Sequence, residues 1–343
     1  MTYTTTTATD VKDLLGKIRD FAVTDGWTAA YDDVASNGRL GLSKGNCKVS
    51  FQSANLTRTD EVNGGTLNDS RIRMALCTAF AGGVTTYWGH TGSLCTGDGD
   101  VDTVETIDLY GPFANVWLFS NAAETHVHVV VQSASNRYSH LSFGIVDEHG
   151  LSQPDVAYVA GNNYVWWPDN SDFTSNNSCD FNWPGSSAHN IGYFMEGNQN
   201  VFIPDGLLDP SLGFADGDVM TRSIWGTHNR GWTASESWQN SSSRWADFFL
   251  GVNNDVTTGG VPLTTLPLIY SNGSNYVFLG SLPDLRLVNM GSLSPAQEIV
   301  YGSDTWMVFP MKQKGERAAT NYGANPEPRC NSIEYGFAFK KVV

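Results

Sequence analysis

From Trp27 onward the chain is a succession of short β-branched and aromatic runs, each closed off by Gly, Asn, Asp or Ser. Runs of this length suit strands and the punctuation between them suits turns, so the body has to be built from sheets. Fourteen runs are predicted as strands: Lys48 to Gln52, Arg71 to Ala79, Val116 to Ser120, His126 to Gln132, Arg137 to Phe143, Val156 to Ala160, Ile191 to Met195, Val219 to Ile224, Trp245 to Phe249, Leu266 to Tyr270, Tyr276 to Gly280, Leu285 to Val288, Trp306 to Phe309 and Ile333 to Phe339. One segment carries a helical period instead. Val11, Leu14, Leu15, Ile18 and Phe21 share a stripe, Asp10 is placed to cap it, and Asp25-Gly26 supplies a stop, which predicts a helix over residues 10–24. The stripe either packs on a sheet of its own chain or docks on a neighbouring subunit.

The expected architecture is mainly β, with antiparallel sandwich-like sheets, a short N-terminal α-helix and long aromatic-rich loops. Residues 1–27 read as an N-terminal arm and amphipathic helix, and residues 28–343 as a β-rich body. That body divides into two packed β subdomains, 28–160 and 190–343, around a Trp-rich insertion at 161–189. The insertion mixes Trp166, Trp167 and Trp183 with many Asn and Ser, and loops of this length in compact proteins are commonly functional. No internal repeat, heptad or Gly-X-Y period is present, which excludes coiled-coil and collagen-like shafts.

Composition narrows the partners. Only 16% of the 343 residues are charged, against roughly 25% in ordinary soluble chains, while 11 Trp, 13 Tyr and 17 Phe provide ample area for a core. The net charge of −15, with no basic run, argues against nucleic acid and against anionic membrane surfaces as partners. No stretch approaches the length of an apolar membrane span. Met1 to Thr9 is Thr-rich and lacks the features of a signal peptide, so the protein is expected either to be used without classical secretion or to have lost such a signal. Cys47, Cys77, Cys95, Cys179 and Cys330 are odd in number and scattered, a pattern of reduced, mostly buried thiols.

The most specific local unit is a hairpin. His126, His128, Val130 and Gln132 face one way, and Val127, Val129 and Val131 the other. Ser133 to Asn136 forms the turn, and Arg137 to Gly144 returns, with Val131 expected near Tyr138 and Val129 near His140. His126, His128 and His140 are candidate ligands for a zinc or non-haem iron ion. The alternative is that they are sheet-face histidines, hydrogen-bonded to backbone or packed on aromatic rings. Asp98, Asp100 and Asp102 resemble the opening of a calcium loop, although Thr103 and Leu109 depart from the EF-hand pattern; an acidic turn is the alternative. Trp166, Trp167 and Trp183 are candidates for stacking on a glycan. No nucleophile elbow, Walker loop or dinucleotide fingerprint is present, and no catalytic residue or cofactor is assigned.

Three stretches, taken together, resemble a family of tailed-bacteriophage virion proteins. They are Leu14 to Phe21 followed by Asp25-Gly26-Trp27-Thr28, the hairpin His126 to Val131 into Tyr138 to Ile145, and Trp306 to Pro310 followed by Tyr335 to Lys341. Leu151 to Asp155 stands where that family often has a Gly-rich stretch. The resemblance implies a non-enzymatic, homo-oligomeric component of a neck, collar, tail or baseplate, assembled in the bacterial cytoplasm and resident in the virion. Its partners would be copies of itself and other virion proteins. A glycan- or receptor-binding adhesin on the particle is the first alternative, and a metal-dependent hydrolase the second.

Overall fold

The computed structural model describes residues 3–59, 66–83, 90–91, 104–106, 111–121, 123, 125–135, 137–147, 157–161, 201–202, 219–220, 261, 263–271, 276–310 and 335–342. The chain opens with β1 (Tyr3–Ala8) and α1 (Val11–Thr24). It continues through β2 (Thr28–Asp33), the short α2 (Val34–Asn37), β3 (Arg39–Lys44), β4 (Cys47–Thr59), β5 (Thr66–Leu76) and β6 (Val104–Thr106). Then come β7 (Phe113–Phe119), β8 (His126–Ala134), β9 (Arg137–Ile145), β10 (Ala157–Gly161), β11 (Val201–Phe202) and β12 (Val219–Met220). The last part holds β13 (Thr264–Ser271), β14 (Tyr276–Asn289), β15 (Gln297–Tyr301), β16 (Asp304–Pro310) and β17 (Tyr335–Lys341). The fold is mainly β with antiparallel pairing throughout the described ladders.

The strands make three sheets, ordered β2-β3-β4-β5-β6, β1-β7-β8-β9-β10-β11-β12 and β13-β14-β17-β16-β15. The seven-stranded sheet is the middle layer. One of its faces supplies Val116, Leu118, Val127, Val129, Val131, Leu141, Phe143, Ala157 and Val159 to a core shared with α1 and with Leu40, Leu42, Val49, Phe51, Ile72, Met74 and Leu76 of the first sheet. Phe143 ties these layers together, with its ring centroid 5.1 Å from Trp27 and 5.0 Å from Phe51. The opposite face presents Trp117 and Phe119 to Phe309 and Phe339 of the C-terminal sheet. Antiparallel sheets usually keep one face in water. Here residues 116–119 of β7, 126–131 of β8, 138–143 of β9 and 157–159 of β10 are buried on both.

The helix forms where its period and caps place it. Asp10 Oδ1 accepts the backbone N–H groups of Lys12 and Asp13, each at 2.8 Å, which satisfies two otherwise unpaired donors of the first turn. Val11, Leu14, Leu15, Ile18, Phe21 and Ala22 are all buried in the shared core. Of the two uses open to the stripe, packing within its own chain is the one realised. Nor are residues 3–27 an arm apart from the body, because β1 pairs along β7 from Tyr3↔Phe119 to Ala8↔Phe113 and α1 fills the core. The Thr4 to Thr7 run lacks apolar alternation, yet its β-branched residues suit the edge of a sheet.

The hairpin differs from expectation by one residue of register. Val130 lies opposite His140, Val129 opposite Leu141 and Gln132 opposite Tyr138. A bulge between Gln132 and Ala134 closes the ladder at Ala134↔Arg137, so the four-residue turn becomes a tighter one. A one-residue slip exchanges the faces of a strand. It is this shift that sets His140 on the same face as His126 and His128 rather than on the valine face. Gly144 is required opposite His126: its φ is +152°, and a Cβ there would come within 2.5 Å of the His126 Cα. Two of the expected strands, Tyr276 to Gly280 and Leu285 to Val288, are a single bulged strand, β14.

If the helix stripe is core, Ile18→Ala should lower the unfolding free energy of the chain by about 2–5 kcal/mol, read from the shift of the denaturant midpoint. A stripe reserved for a neighbouring subunit would leave the monomer's midpoint unchanged.

Candidate functional site

The structure does bring His126, His128 and His140 together. All three are fully buried on the face of β8 and β9 that meets the C-terminal sheet. The His126 and His128 rings lie 4.4 Å apart between centroids. His128 packs on Phe339 at 5.4 Å, and His140 packs on Phe337 at 5.3 Å and stacks on Phe339 at 5.8 Å.

Their nitrogens are engaged across the layer boundary. His128 Nε2 is 2.7 Å from the Pro283 carbonyl oxygen, and His140 Nε2 is 2.9 Å from that of Pro310. A carbonyl can only accept, so each Nε2 carries a proton and donates it. In His128 this leaves Nδ1 as the acceptor of the neutral ring, 2.5 Å from Ser142 Oγ. Ser142 Oγ is in turn 2.8 Å from the Tyr158 hydroxyl. The donors then run in one direction, from Tyr158 to Ser142 to His128 to the Pro283 carbonyl. Pro283 reaches this position because β14 inserts extra residues between its Ser281 and Arg286 pairings with β13. His126 has neither ring nitrogen hydrogen-bonded among the described residues.

Burial sets the electrostatics. It holds His126 well below the ordinary imidazole range, with His128 adding repulsion. His128 is pushed down to about 4, again chiefly by burial; the bond to Pro283 opposes the shift and His140 adds to it. Both rings are therefore neutral near pH 7.

A serine hydroxyl beside an imidazole is also the geometry of an activated nucleophile. Ser142, His128 and Tyr158 are all fully buried, so no substrate reaches Oγ in this arrangement. In His128 both ring nitrogens are engaged, Nε2 by the Pro283 carbonyl and Nδ1 by the Ser142 hydroxyl, which leaves that ring no lone pair for a metal ion. Among the described residues no group of three His, Cys, Asp or Glu side chains is placed to hold a metal ion. What the arrangement does chemically is bond the His128 ring and the Nε2–H of His140 inside an aromatic layer, with His126 packed beside them.

Asp98, Asp100 and Asp102, the calcium candidates, lie outside the described residues, as do the glycan-stacking candidates Trp166, Trp167 and Trp183. Cys47 and Cys77 are buried thiols, and burial pushes Cys77 up to about 12. Ser142, Tyr158, Pro283 and Pro310 carry the network but do not stand out in the sequence. The parity of Ser142 with His140 on β9 points to the first of them. Nothing local marks the two carbonyls. No protein-family model and no curated protein matches this chain.

Removing the Ser142 hydroxyl takes away the donor to His128 Nδ1 and the acceptor of the Tyr158 hydroxyl. Ser142→Ala is expected to destabilise the protein by about 1–3 kcal/mol in denaturant unfolding. Combined with Tyr158→Phe, the loss should fall short of the sum of the single losses, since both act on one chain of hydrogen bonds; full additivity would show that the network is not coupled.

Proposed function

We propose that this protein is a structural component of a tailed-phage particle, a homo-oligomeric neck, collar, tail or baseplate protein that acts in virion assembly. The observation that carries the reading is where the three family-like stretches lie. Leu14 to Phe21 is in α1, His126 to Ile145 spans β8 and β9, and Trp306 to Pro310 and Tyr335 to Lys341 lie in β16 and β17. Far apart in sequence, they all contribute to the two cores: α1 and the valine face of the hairpin belong to one, and β16 and β17 pack on its histidine face in the other. The resemblance therefore runs through the centre of the fold rather than through scattered surface segments.

An exposed edge strand supports the same reading. β15 closes one end of the C-terminal sheet and pairs with β16, and Val300 and Tyr301 on it are exposed, at 77% and 53%. An edge strand carrying exposed apolar side chains readily extends into a second copy. The mechanism is then packing and mechanical support by a rigid three-layer body, with the negative charge keeping free subunits soluble and off DNA.

Light scattering on the purified full chain tests this, with an assembly of fixed subunit number as the expected result. Val300→Asp with Tyr301→Ser should reduce that assembly by about tenfold or more in association constant while leaving the monomer's unfolding midpoint in place. A strict monomer that turns over capsular polysaccharide or peptide would refute the reading.

A further inference from the structure

We propose that the seam between the middle sheet and the C-terminal sheet is an acid latch: proton uptake by His126 and His128 releases β13–β17 while α1 and the two other sheets stay folded. The geometry supplies each part of it. The seam is fastened by the Pro283 and Pro310 carbonyls, which take the Nε2–H groups of His128 and His140. Both acceptors belong to the C-terminal sheet, and both rings to the middle one. His126 sits against His128 with no hydrogen-bonded nitrogen among the described residues, so a proton gained there would be buried and unshared.

Among the described residues, no carboxylate is paired with the rings to answer a positive charge. β7 contributes Trp117 and Phe119 to this layer, β10 the Tyr158 hydroxyl, β16 Phe309 and β17 Phe337 and Phe339. The charged groups of the packed elements engage one another instead. Asp284 and Arg286 of β14 interact with each other and with Asp147 and Asp304. Lys340 pairs with Asp304 at 3.0 Å and Lys341 with Glu298 at 2.7 Å, and Lys341 also lies over the Tyr3 ring. Tyr138 of β9 packs on Trp117 and Phe309. His126 is influenced by burial and by His128, and His128 by burial, the Pro283 carbonyl and His140, with no carboxylate among them.

The sign follows from linkage. An opened seam exposes imidazoles that protonate near pH 6.5, whereas the closed seam resists protonation down to about 4 for His128. The open form therefore binds more protons throughout that window, and falling pH favours it by about tenfold per histidine per pH unit. The elements used as reference, α1, β3 and β4, carry no histidine. His90 is buried elsewhere, bonded to the Tyr31 hydroxyl, and burial holds it below the ordinary range too, so residues 77–91 are a poor reference.

Hydrogen exchange by mass spectrometry on the full chain, from about pH 7.5 to about pH 4.5 with correction for intrinsic exchange, reads the latch directly. Peptides from β14, β16 and β17 should lose protection as pH falls below about 6.5 while α1, β3 and β4 keep theirs, with an opening constant rising about a hundredfold per pH unit. His126→Phe keeps a buried ring and removes one proton site, so its opening should rise only about tenfold per unit. Loss of protection in α1 together with β17, a wild-type slope below tenfold, or an unchanged slope in the variant would each overturn the proposal; the first two are read on the wild-type protein and do not depend on the variant folding.

Discussion

Everything in this fold is arranged around one hairpin that is buried on both faces. β8 and β9 turn their valines, Leu141 and Phe143 into a core closed by α1 and the first sheet, and their histidines into a second core closed by β16 and β17. An antiparallel pair in that position has no solvent-facing side on which to place polar groups, so every polar side chain it carries must find a partner inside the protein or remain without one. The three-layer order follows from this constraint, since removing either outer sheet would expose a face built for burial.

The histidine face shows how such a layer is kept specific. An aromatic layer of Trp117, Phe119, Phe309, Phe337 and Phe339 could slide or repack with little change in buried area. Two imidazole-to-carbonyl bonds and the Tyr158–Ser142–His128 chain are directional, and they are available only when β14 and β16 sit in the observed register against β8 and β9. The bulge in β14 that carries Pro283 inward is part of the same device. The device places the histidines at the boundary between the middle and the C-terminal sheets.

Much of the fold was legible in the sequence because it is governed by local period. The helix over 10–24, the hairpin and most strands of the middle and C-terminal sheets follow from apolar spacing and turn residues. What escaped was decided by tertiary context. β1 has a Thr run in place of apolar alternation, and β2, Thr-Ala-Ala-Tyr-Asp-Asp, has no apolar face at all. Pro283 divides β14 into two apparent strands because a proline usually ends a ladder, whereas here it occupies a bulge. The candidate site was half legible. Three histidines near one hairpin were evident, but their common face depended on a bulge at Gln132–Ala134, and their partners lie 155 and 170 residues away in sequence.

The His128 ring is a neutral, Nε2-protonated donor sealed between two sheets. Nitrogen-15 NMR of the imidazoles tests it most directly. His128 should show a slowly exchanging Nε2–H, an unprotonated Nδ1, and no titration until well below pH 6. An imidazole that exchanges freely with solvent and titrates near the ordinary value of about 6.5 would contradict it.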